Sequence, residues 1–177
     1  SGYGRIALAF GKEQIYSIPC DMHTDMEYLF SRLSEVAAHA GLFVMCDIKR
    51  YLTLLPGIVR ERCFDAVIAA YLLNPLKNDY TYEDIAREQL HLMIDENTEE
   101  SIKACYEAYT CLKAVEPMSK KLNDTGMYRL FEEIEMPLLF TLYDMERAGI
   151  KVEAEELKMY GSRLGEQIVR LEREIYE

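Results

Sequence analysis

Few residues in this chain combine a reactive type with a spacing that chemistry requires. One Asp-x-Glu triplet is Asp25-Met26-Glu27. Hard divalent cations need several carboxylate oxygens, so such a pair is a natural candidate ligand set. Here it follows Thr24, and Thr24-Asp25-Met26-Glu27 reads as a capping box. The Thr24 hydroxyl takes a backbone N–H while Glu27 reaches back, and helix initiation accounts for the pair. His23, His39 and His91 lie far apart and show no zinc-ligand spacing. The five cysteines, Cys20, Cys46, Cys63, Cys105 and Cys111, form no C-x-x-C pair and sit in apolar contexts, as reduced core thiols of a cytosolic protein do. No glycine-rich phosphate loop and no G-x-S-x-G is present. A Cys–His nucleophile pair stays open, with no position singled out.

The charge balance narrows the classes further. Lys plus Arg is 20 and Asp plus Glu is 31, a net charge of −11. A stand-alone DNA binder carries a basic footprint, because phosphate contacts release counterions. This chain carries none, so it is expected to bind nucleic acid weakly by itself. Its 177 residues suffice for one well-cored domain with an appendage. No apolar run approaches a membrane span, and the N-terminus shows no signal peptide. The chain opens with Ser1-Gly2 rather than Met, as a fragment or a processed chain does.

The elements that would position any site follow from periodicity. Gly4 to Phe10 reads as a strand, Gly11-Lys12-Glu13 as a turn and Gln14 to Ile18 as the returning strand. A helix runs from the Thr24 cap through Leu29, Leu33, Val36 and Ala37 to Gly41. Leu42 to Met45 is a short strand. Asp47 is the expected cap of a helix reaching Leu55, and Asp65 of another that buries Val67, Ile68, Tyr71 and Leu72. Thr81 starts a helix through Ile85 and Leu90. From Thr98 the pattern is helical, with breaks near Asn123-Asp124-Thr125-Gly126 and at Gly149. The last helix, from about Glu153, carries Leu157, Tyr160, Leu164, Ile168, Leu171 and Ile175 as one apolar stripe. Gly161 and Gly165 have G-x-x-x-G spacing, in a helix too charged for a membrane motif. Strands followed by helices give an α/β domain with a mixed sheet.

The run from Glu135 to Val152, with Met136-Pro137-Leu138-Leu139-Phe140 and Arg147-Ala148-Gly149-Ile150, places Ile134, Leu138, Leu142 and Met145 on one helical face. Pro137 suits a first helical turn or a kink, and Gly149 a helix stop. This segment closely resembles the one that opens the polymerase domain in bacterial family A DNA polymerases. In that family it follows a 3'-5' exonuclease domain. Phe64-Asp65-Ala66-Val67-Ile68-Ala69-Ala70-Tyr71-Leu72-Leu73-Asn74-Pro75 also resembles the family, and the resemblance covers nearly the whole chain. It implies a ribonuclease H-like mixed sheet with flanking helices over 1–134, lacking its first strand, and the N-terminal helices of a truncated polymerase domain over 135–177.

The family's exonuclease holds two divalent metals roughly 3.5–4 Å apart. Its ligands come from an Asp-x-Glu first strand, an Asp after the third strand and a late Tyr-x-x-x-Asp. By resemblance the first strand belongs before residue 1. Asp47 falls where active members carry Asn, and Tyr51 where they carry the metal-binding Asp. A phenol with a pKa near 10 is a poor hard-metal ligand at neutral pH. Lys103 takes the place of the late Tyr and Glu107 that of its Asp. Glu107 is thus the single weak metal candidate, and Asp47, Tyr51, Lys103 and Glu107 are vestigial positions. Certain Bacillus-type members have lost the same groups and keep the domain as scaffold; Met45-Cys46-Asp47-Ile48-Lys49-Arg50 resembles theirs most.

The expectation is a silent exonuclease-like domain with an architectural role in a cytoplasmic DNA-directed DNA polymerase of replication and repair. It needs no cofactor of its own; Mg²⁺ is expected for the parent polymerase. DNA is reached through the parent. The remainder of the polymerase domain packs on the C-terminal helix, unless Leu157, Leu164, Ile168 and Leu171 drive self-association. Two alternatives stay open: a working two-metal exonuclease whose Asp-x-Glu strand lies outside this chain, and an acidic protein-interaction module using the last helix.

Overall fold

A computed structural model describes residues 4–11, 14–95 and 97–176. The chain divides into two units, Ser1–Tyr143 and Asp144–Glu177.

The first unit begins with a hairpin. Strand β1 (Arg5–Phe10) pairs antiparallel with β2 (Gln14–Pro19), from Arg5 opposite Pro19 to Phe10 opposite Gln14. Gly11 opens the turn at a φ of 55°, where a side chain would be strained. The expected turn residues Lys12 and Glu13 lie outside the described residues. Helix α1 (Met26–His39) follows. Its cap is Asp25, whose Oδ1 accepts from the Tyr28 N–H at 3.0 Å, and not Thr24 as the capping box implied. The Thr24 hydroxyl is engaged elsewhere: it accepts from the Asp21 N–H at 3.0 Å and donates to Asp21 Oδ1 at 3.1 Å. A carboxylate beside the helix start is also the stronger acceptor for the orphan N–H groups.

Strand β3 (Phe43–Met45) pairs in parallel with β4 (Cys63–Asp65). Among the described residues the strands thus form two separate two-stranded sheets, and not the single mixed sheet expected. No described strand bridges β1 and β3. Between β3 and β4 two tight 3₁₀ turns form, Ile48–Tyr51 and Arg60–Arg62, and the first stands in place of a helix reaching Leu55. Asp47 does not cap it: its backbone is left-handed (φ 57°, ψ 66°) and its side chain makes no capping bond. Asp65 supplies the acceptor instead, from across the fold. Its Oδ2 takes the Ile48 N–H at 2.7 Å, while Oδ1 takes Val67 N–H at 2.9 Å and Ile68 N–H at 3.1 Å. One buried carboxylate therefore ties the 3₁₀ turn to helix α2 (Ala66–Leu73).

The face of α2 that packs inward is Ala66, Ala69 and Ala70. Val67, Ile68 and Leu72 are only half-buried and Tyr71 is 47% exposed, so the larger residues are not the buried set. Alanines let α2 approach the long helix α4 (Glu100–Asp124) closely. Helix α3 (Tyr82–Leu90) starts at Thr81 as expected, its hydroxyl accepting from the Asp84 N–H at 3.2 Å. Helix α4 runs 25 residues, about 37 Å at the α-helical rise, and packs against α2, α3, β1 and β3. It ends where Gly126 adopts a φ of 71°.

A short turn α5 (Tyr128–Leu130), a π turn at Phe131–Glu135 and helix α6 (Met136–Ala148) form one helical run. The π turn lies immediately before Pro137, the second residue of α6. Proline has no N–H to return and its ring crowds the carbonyl four residues back, so a widened turn there relieves both problems. Met136, Leu139 and Phe140 are buried, whereas Ile134, Leu138, Leu142 and Met145 are exposed. The apolar face read from the sequence is thus the outward one. The core joins Ile48, Phe64, Ile85, Met118, Leu122 and Phe131, with the Phe64 and Phe131 rings 4.8 Å apart.

In the second unit the end of α6 stops at Gly149 (φ 68°), and α7 (Ala154–Tyr176) follows. No residue of α7 is buried; Leu157, Leu164, Ile168 and Leu171 are 40–61% exposed. Among the described residues, no helix is long and apolar enough to cross a membrane.

Candidate functional site

Two of the positions that could carry chemistry, Tyr51 and Glu107, line one cavity of about 290 Å³ in the first unit. The edge of β1, the strand β3, helix α1 and one face of α4 line it. Helix α4 presents Glu107 into the wall beside Ala104, Ala108 and Cys111, and the 3₁₀ turn presents Tyr51. The fold therefore brings Tyr51 and Glu107 to the same space, although 56 positions separate them in sequence (107 − 51).

The other two positions do not join them. Asp47 is exposed and lines no part of the cavity. Its charge acts on Asp65, whose carboxyl is pushed up mainly by burial, against the pull of its three backbone N–H partners. Lys103 lies one helical turn before Glu107 and pairs with Glu100 at 3.0 Å. Asp25-Met26-Glu27 stays at the start of α1, as helix initiation requires.

Burial pushes the Glu107 carboxyl above its ordinary value of 4.5; the charge of Glu83 adds to this and that of Arg50 opposes it. The Arg50 guanidinium lies over the Tyr51 ring, 5.7 Å from its centre. A two-metal clamp needs several carboxylate oxygens around each ion. The cavity offers one carboxylate, its pKa raised by burial, and one phenol. Among the described residues no group of three or more His, Cys, Asp or Glu side chains could hold a metal ion. The donor set does not fit the metal pair, and no catalytic step runs through it.

Cys46 and Cys63 are poor nucleophiles. Cys46 and Cys111 face each other with sulfurs 3.5 Å apart. That hydrogen bond and burial push the Cys46 thiol far up, and burial pushes Cys63 up to about 12. Thiols held protonated are inert. Spacing alone gave no signal for Asp65 as the hub of three backbone bonds, or for Glu83 and Arg50 as the charges acting on Glu107. Both depend on contacts far apart in sequence.

No family model matches the chain. It is 29% identical to DNA polymerase I of Bacillus subtilis, over 92% of this chain and 20% of the relative. It is 32% identical to DNA polymerase I of Geobacillus stearothermophilus, over 75% of this chain and 17% of the relative. A solved structure described as the POL domain of Pol1 from M. smegmatis, in complex with DNA primer-template and dNTP, superposes with a TM-score of 0.72 at 22% identity. The superposition covers 93% of this chain and 29% of that one. That likeness establishes the fold: mixed α/β, rich in helix, with small sheets.

These similarities relate the chain to bacterial DNA polymerase I over most of its own length. Its curated homologues are DNA polymerase I, and it spans about a fifth of their length.

Proposed function

We propose that residues 1–134 are an exonuclease-like domain of ribonuclease H type that no longer proofreads, and that residues 135–177 are the opening helices of a polymerase domain. In this reading the chain's role is architectural within a cytoplasmic DNA-directed DNA polymerase. It supports the polymerase domain and helps place the duplex, while DNA contact and Mg²⁺-dependent nucleotidyl transfer belong to the rest of the parent protein. The observation that carries the reading is the donor set of the cavity. Glu107 and Tyr51 line the same cavity, and among the described residues no second carboxylate lines its walls.

Homology to DNA polymerase I over most of the chain supports the parent activity. The net charge of −11 supports weak DNA binding by this stretch alone. The outward stripe of α7 supports a packing role for that helix against the remainder of the polymerase domain. Titration with Mn²⁺, followed by electron paramagnetic resonance, tests the silent site. We expect no stoichiometric site above surface binding, and the same trace for Glu107→Gln. A saturable site lost in Glu107→Gln would revive the alternative of a working exonuclease completed by a strand from outside the chain.

A further inference from the structure

Three of the five cysteines direct their S–H to the backbone. Cys20 donates to the Ile18 carbonyl at 3.6 Å, Cys63 to that of Val59 at 3.3 Å and Cys105 to that of Ser101 at 3.6 Å. Cys46 and Cys111 behave differently: their sulfurs meet at 3.5 Å, although 65 positions separate them. Cys46 directly follows β3, and Cys111 lies midway along α4. A disulfide closes at about 2.05 Å between sulfurs, so a shift of roughly 1.5 Å, within reach of two side-chain rotations, joins them. The two sulfurs differ in access. Cys111 lines the cavity of about 290 Å³, and a water occupies about 30 Å³, so a molecule of that size in the cavity reaches its sulfur. Cys46 stands outside the lining and keeps its proton, pushed up first by its hydrogen bond to Cys111 and then by burial.

We infer that Cys46 and Cys111 form a thiol–disulfide switch: a hydroperoxide oxidises Cys111 from the cavity, and Cys46 closes the bond that fastens the end of β3 to α4. The Cys111 sulfur attacks one oxygen of hydrogen peroxide, the O–O bond breaks, and one water leaves with the thiol proton. Cys111 is then a sulfenic acid. The Cys46 sulfur attacks that sulfur, the S–O bond breaks, and a second water carries away the Cys46 proton. The two thiols lose two electrons in all, and the peroxide takes both. The first step also prepares the second. The hydrogen bond to the Cys111 thiol is the chief cause that holds the Cys46 proton, and oxidation alters that partner. Exchange with a small thiol restores the pair. In a reducing compartment such bonds are transient and redox-sensing rather than structural. Strand β3 is three residues long and pairs with β4 alone among the described residues. A covalent tie to the 25-residue α4 therefore restrains β3 most. The switch does not depend on the silent-site reading.

The test treats the reduced 177-residue chain with increasing hydrogen peroxide, alkylates the remaining thiols and reads a digest by mass spectrometry. Cleavage after Glu107 parts Cys105 from Cys111. Two of the five thiols should vanish together, with Cys46 linked to Cys111 in a single chain and full recovery in dithiothreitol. The oxidised chain should unfold roughly 5–10 °C higher, with slower amide exchange along β3. Cys46→Ala should stop at the sulfenic acid, which dimedone captures at Cys111. Cys111→Ala should leave Cys46 unmodified at the same dose. If either variant fails to fold, the wild-type digest decides. Oxidation that begins at Cys20 or Cys63, or that links two chains, overturns the switch. So does a Cys46–Cys111 pair that stays reduced while the other thiols react, or dimedone capture at Cys46 in Cys111→Ala. A Cys46–Cys111 bond that leaves β3 exchange unchanged overturns it too, because the bond would then restrain nothing.

Discussion

At the scale of single residues, Glu107 and Asp65 are two buried carboxylates with different surroundings. Asp65 is 1% exposed and accepts three backbone N–H groups, so its burial is matched by hydrogen bonds. Glu107 has no such compensation, and burial raises its carboxyl above 4.5 in the folded chain. The folded state therefore holds a proton that the unfolded state releases. Stability is greatest below pH 4.5 and falls as pH rises through the folded value. Glu107→Gln should raise the midpoint of thermal unfolding at pH 7, with the gain vanishing below about pH 4. A gain that persists at pH 3, or a loss at pH 7, would show that the carboxylate does structural work. The cap role of Asp65 toward α2 was legible, because Asp before an apolar run has a local meaning. Its bond to Ile48 was not, since that partner lies 17 positions away.

At the scale of elements, local signals carried furthest where the chain's own neighbours decide the outcome. The β1–β2 hairpin, the Thr81 cap and the glycine stops at Gly126 and Gly149 formed as their residue types dictate. The helix expected after Asp47 failed for a tertiary reason: Asp65 captures Ile48, and the segment is drawn into a 3₁₀ turn between two parallel strands. Helices α2 and α6 show the same limit in another form. Their periodicity revealed an apolar face, yet the alanine face of α2 and the Met136–Leu139–Phe140 face of α6 are the buried ones. When a helix is apolar on more than one side, packing partners choose the side. No described residue of helix α7 is buried, so little of its surface is committed to packing. Ending the chain at Gly149 should leave a soluble domain whose unfolding midpoint in urea is unchanged. A drop in that midpoint would show that the α7 stripe is already in use.

For the whole molecule, α/β character and the likeness to bacterial DNA polymerase I were both readable from sequence, the latter from the wording of Glu135 to Val152 and Phe64 to Pro75. The division of the strands into two sheets was not, because pairing depends on which strands are present to pair. The meeting of Tyr51 with Glu107 was unreadable for the same kind of reason: it is made by the path of α4 beneath both sheets. What the cavity then offers is one carboxylate where a metal pair would need several. The most direct measurement is degradation of 3'-labelled single-stranded DNA by the purified chain in Mg²⁺ or Mn²⁺, beside Glu107→Gln. The account predicts no metal-dependent shortening from the 3' end in either protein. Shortening that needs the metal and disappears in Glu107→Gln would contradict it.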